Sequence, residues 1–185
     1  MRRLPLIALA LLALGAVSGV AAYEGERAAG NDVHWQEIAW PYPRDGWPAG
    51  RAFRCESCGG RGGGHVELYV RPKIGFCNCD TGVADDDEVD RVADLDLISE
   101  HFVPLEPGKP VQIGELSGRS RSYELSMSNG ARHSAVGMAV SHRCDLFVAV
   151  VQGSATAPEL RFEALRFLQS GEMRRWTMAM LAVRF

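Results

Sequence analysis

Five cysteines constrain this chain more than any other feature: Cys55, Cys58, Cys77, Cys79 and Cys144. The first four form a C-x2-C pair and a C-x-C pair with a candidate β-hairpin between them. Two chemistries fit. Four thiolates satisfy tetrahedral zinc, and "CESCGG" looks like a zinc-ribbon knuckle. The same four sulfurs, oxidised, would form two disulfides. The clasp expected from the hairpin pairs Cys55 and Cys58 with Cys77 and Cys79, in either order.

Compartment bears on that choice. The chain opens "MRRLPLIALALLALGAVSGVAAYEGE". Arg2 and Arg3 precede a short apolar core, and Val20-Ala21-Ala22 satisfies the small-x-small rule for cleavage after Ala22. The apolar run is shorter than the roughly 20 residues of a spanning helix, and no later stretch is a candidate span. Residues 1–22 therefore read as a signal peptide, and the mature protein as exported, periplasmic or secreted, with no stable membrane span. Exported cysteines are normally oxidised, which favours disulfides over zinc.

Losing 22 of 185 residues leaves 163, enough for one domain with its own core. Losing Arg2 and Arg3 takes the formal charge from −3 to −5. A mildly acidic chain without a basic cluster argues against nucleic-acid binding.

Residues 23–54 form an aromatic and proline-rich arm. Trp35, Trp40, Tyr42, Trp47 and Phe53 alternate with Pro41, Pro43 and Pro48. Proline forbids a long helix, so the arm reads as an extended strap with its tryptophans buried on a core, or else as an aromatic platform for a ligand. Residues 55–185 read as one α+β domain that includes a cysteine-rich hairpin over 55–79. In it, Val66, Leu68 and Val70 alternate with Glu67, Tyr69 and Arg71, and a second strand is expected over Ile74–Cys79. "DDDEVDRVADLDLI" switches to helical spacing, capped by Asp85 or Asp86. "PVQIGEL" and "SRSYELSM" read as strands about a Ser117-Gly118 turn. Asn129-Gly130 marks a further hairpin, and "DLFVAVVQG" is apolar enough to be central. "APELRFEALRFLQSGEMRRW" reads as an amphipathic helix that Gly171 ends, and "TMAMLAVRF" as a last strand or a continued helix, with the strand favoured. The expected architecture is an antiparallel sheet backed by helices on one face, with a cysteine-rich N-terminal lobe.

The fifth cysteine is left over by even pairing. Cys144 is expected to be a buried free thiol. Alternatively it pairs with the first cluster and leaves one of those four free, or it acts as a nucleophile with His142 two residues away. A redox role for "CESC" needs a helix start, which the following glycines oppose. "DTGVADDDEVDR" fails the EF-hand pattern, because Gly82, Ala84 and Arg91 stand at ligand positions. An outer-membrane barrel ending at Phe185 is interrupted by the helical "ELRFEALRFLQ".

"KIGFCNCDTGVADDDEVDRVADLDLI", with "GRSRSY", "RCD" and "FLQS", resembles an exported bacterial family of uncharacterised function over most of the mature chain. That resemblance implies no activity and carries over no catalytic residue. The order of sheet, helices and late helix is also similar to the α+β sandwich of the photosystem II extrinsic proteins, which implies a topology and not a role. The expected function is that of a non-catalytic, disulfide-stapled binding or accessory protein of the cell envelope, with no cofactor. Its partner would be an envelope component or a small ligand. The alternatives are a zinc or other metal protein using Cys55, Cys58, Cys77 and Cys79, and, third, a thiol-based enzyme.

Overall fold

The computed structural model describes residues 34–59, 64–75 and 79–182. The segment expected to be a signal peptide and Cys77 lie outside these residues. Eight strands form one antiparallel sheet: β1 Gln36–Ile38, β2 Arg51–Cys55, β3 Val66–Lys73, β4 His101–Pro104, β5 Lys109–Ile113, β6 Leu116–Ser126, β7 Arg132–His142 and β8 Asp145–Gly153. Their order is β1-β2-β3-β8-β7-β6-β4. β5 shares the outer edge of β6 with β4: Lys109–Ile113 pairs with Leu116–Ser120, and His101–Pro104 with Tyr123–Ser126. The helices are α1 Asp86–Val92, α2 Ala157–Leu168 and α3 Gly171–Ala182, with a 3-10 turn over Leu95–Leu97.

The α+β class and antiparallel sheet are as the sequence leads one to expect. β8 is central, and the Asn129-Gly130 hairpin joins β6 to β7. Helices, however, cover both faces. Adjacent residues of a strand point to opposite sides. Phe53, Leu68 and Val151 are cross-strand partners on one side, where Phe53 meets Phe167 of α2 with ring centroids 4.8 Å apart. Val150 and its partner Gly137 lie on the other. A Cβ at Gly137 would come 2.9 Å from the Ala93 Cβ, so α1 packs close only because that side chain is absent. Val89, Val92, Ala93, Tyr123, Ala139 and Val148 form the core of this second face.

Local chemistry sets the helix boundaries. The Asp85 carboxylate accepts from the Glu88 N–H at 2.9 Å and caps α1. Glu159 accepts from the Thr156 N–H and hydroxyl in a capping box that starts α2. Gly171 does not end one long helix; it opens α3. The final segment is therefore helix and not strand. Its apparent alternation is superseded by Met173, Thr177 and Leu181, buried at a spacing of four.

Two turn expectations also change. Ser117-Gly118 lies inside β6, and the β5–β6 turn is Gly114-Glu115 between paired Ile113 and Leu116. Gly118 marks a close approach: a Cβ there would sit 2.0 Å from the Ala139 carbonyl oxygen. Beyond β3 the chain turns at Ile74 and Gly75, and Cys79 lies in a later turn. β3 is paired with β2 and β8, so it does not form the expected hairpin with 74–79. The arm, for its part, supplies β1 and β2 to the sheet. Trp35 stacks on Phe167 at 5.2 Å, and Trp40 and Tyr42 set their rings edge-on against Tyr69. Trp35, Trp40 and Trp47 are half-buried, less than the buried strap expected of them.

Candidate functional site

The structure redistributes the cysteines. Cys55 bonds to Cys58, and Cys79 bonds to Cys144 across 65 positions. Cys144 is therefore not a free thiol, and the expected cross-clasp to Cys77 and Cys79 is not formed. A disulfide sulfur is neither a thiolate ligand nor a nucleophile. That removes the four-cysteine zinc set and the Cys144–His142 pair. Cys144 sits in the two-residue loop between β7 and β8, beside Arg143 at φ 57°, and this tight turn holds it out toward Cys79. Cys55 and Cys58, at 0% and 5% exposure, offer little access to an attacking thiol.

A second constellation lies along β3. Strands with alternating polarity usually wet one face. Here Glu67, Tyr69, Arg71 and Lys73 share a face and are all buried. At one end Glu67 accepts from Arg54 at 2.7 Å, from Gln152 at 2.9 Å and from the Tyr69 hydroxyl; Gln152 in turn meets His133 Nδ1 at 2.6 Å. Burial pushes the Glu67 carboxyl up, but the bonds from Tyr69 and Arg54 outweigh it and hold it below the usual range. At the other end Asp94 accepts from Arg71 at 2.6 and 2.7 Å and from Lys73 at 2.6 Å. Burial lowers the Lys73 ammonium despite Asp94. Trp40 lies over Arg71 and Trp47 over Lys73, with centroid distances of 6.0 and 5.8 Å. These charges are matched, and the void beside Trp40 and Asp94 measures about 10 Å³, room for a single water. The row fastens the arm and the 3-10 turn to the sheet and leaves no space for a ligand.

The cleft between the β5–β6 turn and α3 is different. It measures about 150 Å³. Ile113, Leu116 and Met178 give it apolar walls. Arg174, Thr177 and Met178 stand at i, i+3 and i+4 on one helix face, which aims all three at the turn. Gly114 has φ 61°, a backbone conformation that selects glycine, and the Arg174 side chain passes over it with Nε 3.4 Å from where a Cβ would sit. Three polar groups line this cleft: the buried Thr177 hydroxyl and the exposed Arg174 and Glu115 side chains. The Thr177 hydroxyl, on a residue 2% exposed, has no hydrogen-bond partner among the described residues. Arg174 and Glu115 line it as well. Neither side chain makes an ion pair or hydrogen bond among the described residues, and they do not pair with each other. None of the three was singled out from the sequence. Reading 171–182 as helix would have brought Arg174 and Thr177 onto one face.

Fold and cleft together define an α+β domain of disulfide-stapled type with a small amphipathic pocket at one end of its sheet. No protein-family model and no curated protein matches the chain. Among solved structures, the Pseudomonas aeruginosa protein of unknown function PA94 is similar over 82% of this chain and 97% of that one, at 13% identity and a TM-score of 0.40. A likeness that slight carries no argument about role.

Proposed function

We propose that the protein is an exported, non-catalytic binding or accessory domain of the cell envelope. The cleft between Gly114-Glu115 and α3 carries the binding half of this reading. It combines apolar walls with a buried hydroxyl and two unmatched charges, the pattern of a small-molecule pocket. A buried hydroxyl without a partner costs roughly 1–3 kcal/mol, which a ligand's polar atom would recover. Two disulfides and the leader-like first 22 residues support the exported half. Among the described residues no helix is long and apolar enough to cross a membrane.

Native and denaturing mass spectrometry of protein recovered from an envelope fraction tests both halves. The expected mass begins at Tyr23 and includes two disulfides, with a small adduct that denaturation releases and Arg174→Gln abolishes. Cytoplasmic protein retaining Arg2 and Arg3 would refute export. A bare chain under native conditions would refute a resident ligand.

A further inference from the structure

We propose that the Arg174–Glu115 cleft takes a small zwitterion, a free apolar α-amino acid. This rests on the binding reading and names the ligand class. The charges carry the inference. Arg174 and Glu115 line one small cleft, yet no ion pair of 4.0 Å or less joins them or ties either to another described residue. Opposite charges that share a pocket without pairing suit a ligand that bears both charges itself. The guanidinium presents a planar fork that matches a carboxylate. The Glu115 carboxylate can accept from an ammonium group. The Thr177 hydroxyl lies on the same helix face as Arg174, one turn further on, and supplies a second donor for the carboxylate.

Size and walls narrow the class. About 150 Å³ is well below the roughly 300–1,000 Å³ of a drug-sized pocket, so the ligand is a few heavy atoms across. Ile113, Leu116 and Met178 leave an apolar surface for the side chain, and methionine adapts to more than one shape. A plain organic anion would face Glu115 unfavourably, and a plain amine would face Arg174. Only a molecule carrying both groups meets both.

Calorimetric titration of the full mature chain with three probes tests this: L-leucine, isocaproate (leucine without its amine) and isoamylamine (leucine without its carboxylate). Leucine should bind about tenfold or more tightly than either fragment, the worth of one charge-assisted hydrogen bond. Arg174→Gln should weaken leucine and isocaproate by about tenfold or more. Glu115→Gln should weaken leucine by a similar factor and leave isocaproate unchanged or improved. Both residues are exposed, so the unliganded variants should melt with the wild type. Isocaproate binding as tightly as leucine, indifferent to Glu115→Gln, would overturn the zwitterion and leave a carboxylate pocket. No heat with any probe would overturn the ligand class, while the export and adduct measurements above judge the broader reading separately.

Discussion

Gly50 lies against the Trp40 ring: a Cβ there would be 2.5 Å from Trp40 Cζ3 and 2.7 Å from the Val70 carbonyl oxygen. The arm and the sheet are cut to fit one another at this point. Gly50→Ala should therefore unseat the indole and cost about 1–3 kcal/mol by overpacking. Trp40→Ala should cost about 2 kcal/mol, below a full core truncation because the ring is half-buried. Urea denaturation measures both. A neutral Gly50→Ala would mean that the arm is not fixed against β3.

Asp94 holds two buried cations in a left-handed backbone, at φ 55°. Asp94→Asn keeps a residue that tolerates that conformation but strips the charge from Arg71 and Lys73. It should cost about 3–5 kcal/mol, whereas Lys73→Met, which leaves the Arg71–Asp94 pair intact, should change stability by less than about 1.5 kcal/mol. Equal losses from the two variants would contradict this account of the row.

Glu67 links stability to acid. Its folded pKa lies below its unfolded value, so its contribution is complete above about pH 4.5 and is lost as pH falls through the folded value. Glu67→Gln should be less stable than wild type at neutral pH and show a shallower decline below pH 4.5. Parallel denaturation curves at pH 3 and pH 7 for the two proteins would show the carboxylate to be unlinked.

The disulfides are unequal. Closing the loop from Cys79 to Cys144 stabilises by about 4 kcal/mol in the chain-entropy model, and the short Cys55–Cys58 loop by about 2 kcal/mol. Cys79→Ser/Cys144→Ser should accordingly lower the urea midpoint more than Cys55→Ser/Cys58→Ser. Thiol titration of the unfolded, unreduced chain should find one free cysteine of five, and peptide mapping should place the label on Cys77. Two thiols modified at Cys79 and Cys144 would disprove the long link.

The sheet was legible because its signals are local: Asn129-Gly130 for one hairpin, the apolar run of β8, and the Asp85 cap of α1. The cysteine pairing was not. Spacing suggested a clasp between neighbours in sequence, whereas the partner of Cys79 is delivered by the β7–β8 turn, a tertiary event that spacing cannot report. The burial of the β3 face bearing Glu67 to Lys73 was not legible either, for a related reason. The polarity of that face is matched by Arg54, Gln152 and Asp94, which arrive from three other segments. The cleft stayed hidden because Gly171 was read as a helix end and 177–185 as a strand, which separated Thr177 and Met178 from Arg174.

The 65-position span of the Cys79–Cys144 bond sets a timetable. At about 5–20 residues per second, synthesis delivers Cys144 several seconds after Cys79. Oxidation takes seconds or longer. During that interval Cys55, Cys58, Cys77 and Cys79 are available to one another, and Cys77–Cys79 is a ready trap. Cys55–Cys58 can close at once with its own neighbour. Cys79 must be kept reduced, or rescued by exchange, until β7 and β8 have formed the turn that presents its partner. Yield in an oxidising compartment is therefore governed by thiol exchange, and a disulfide isomerase should raise it where a stronger oxidant lowers it.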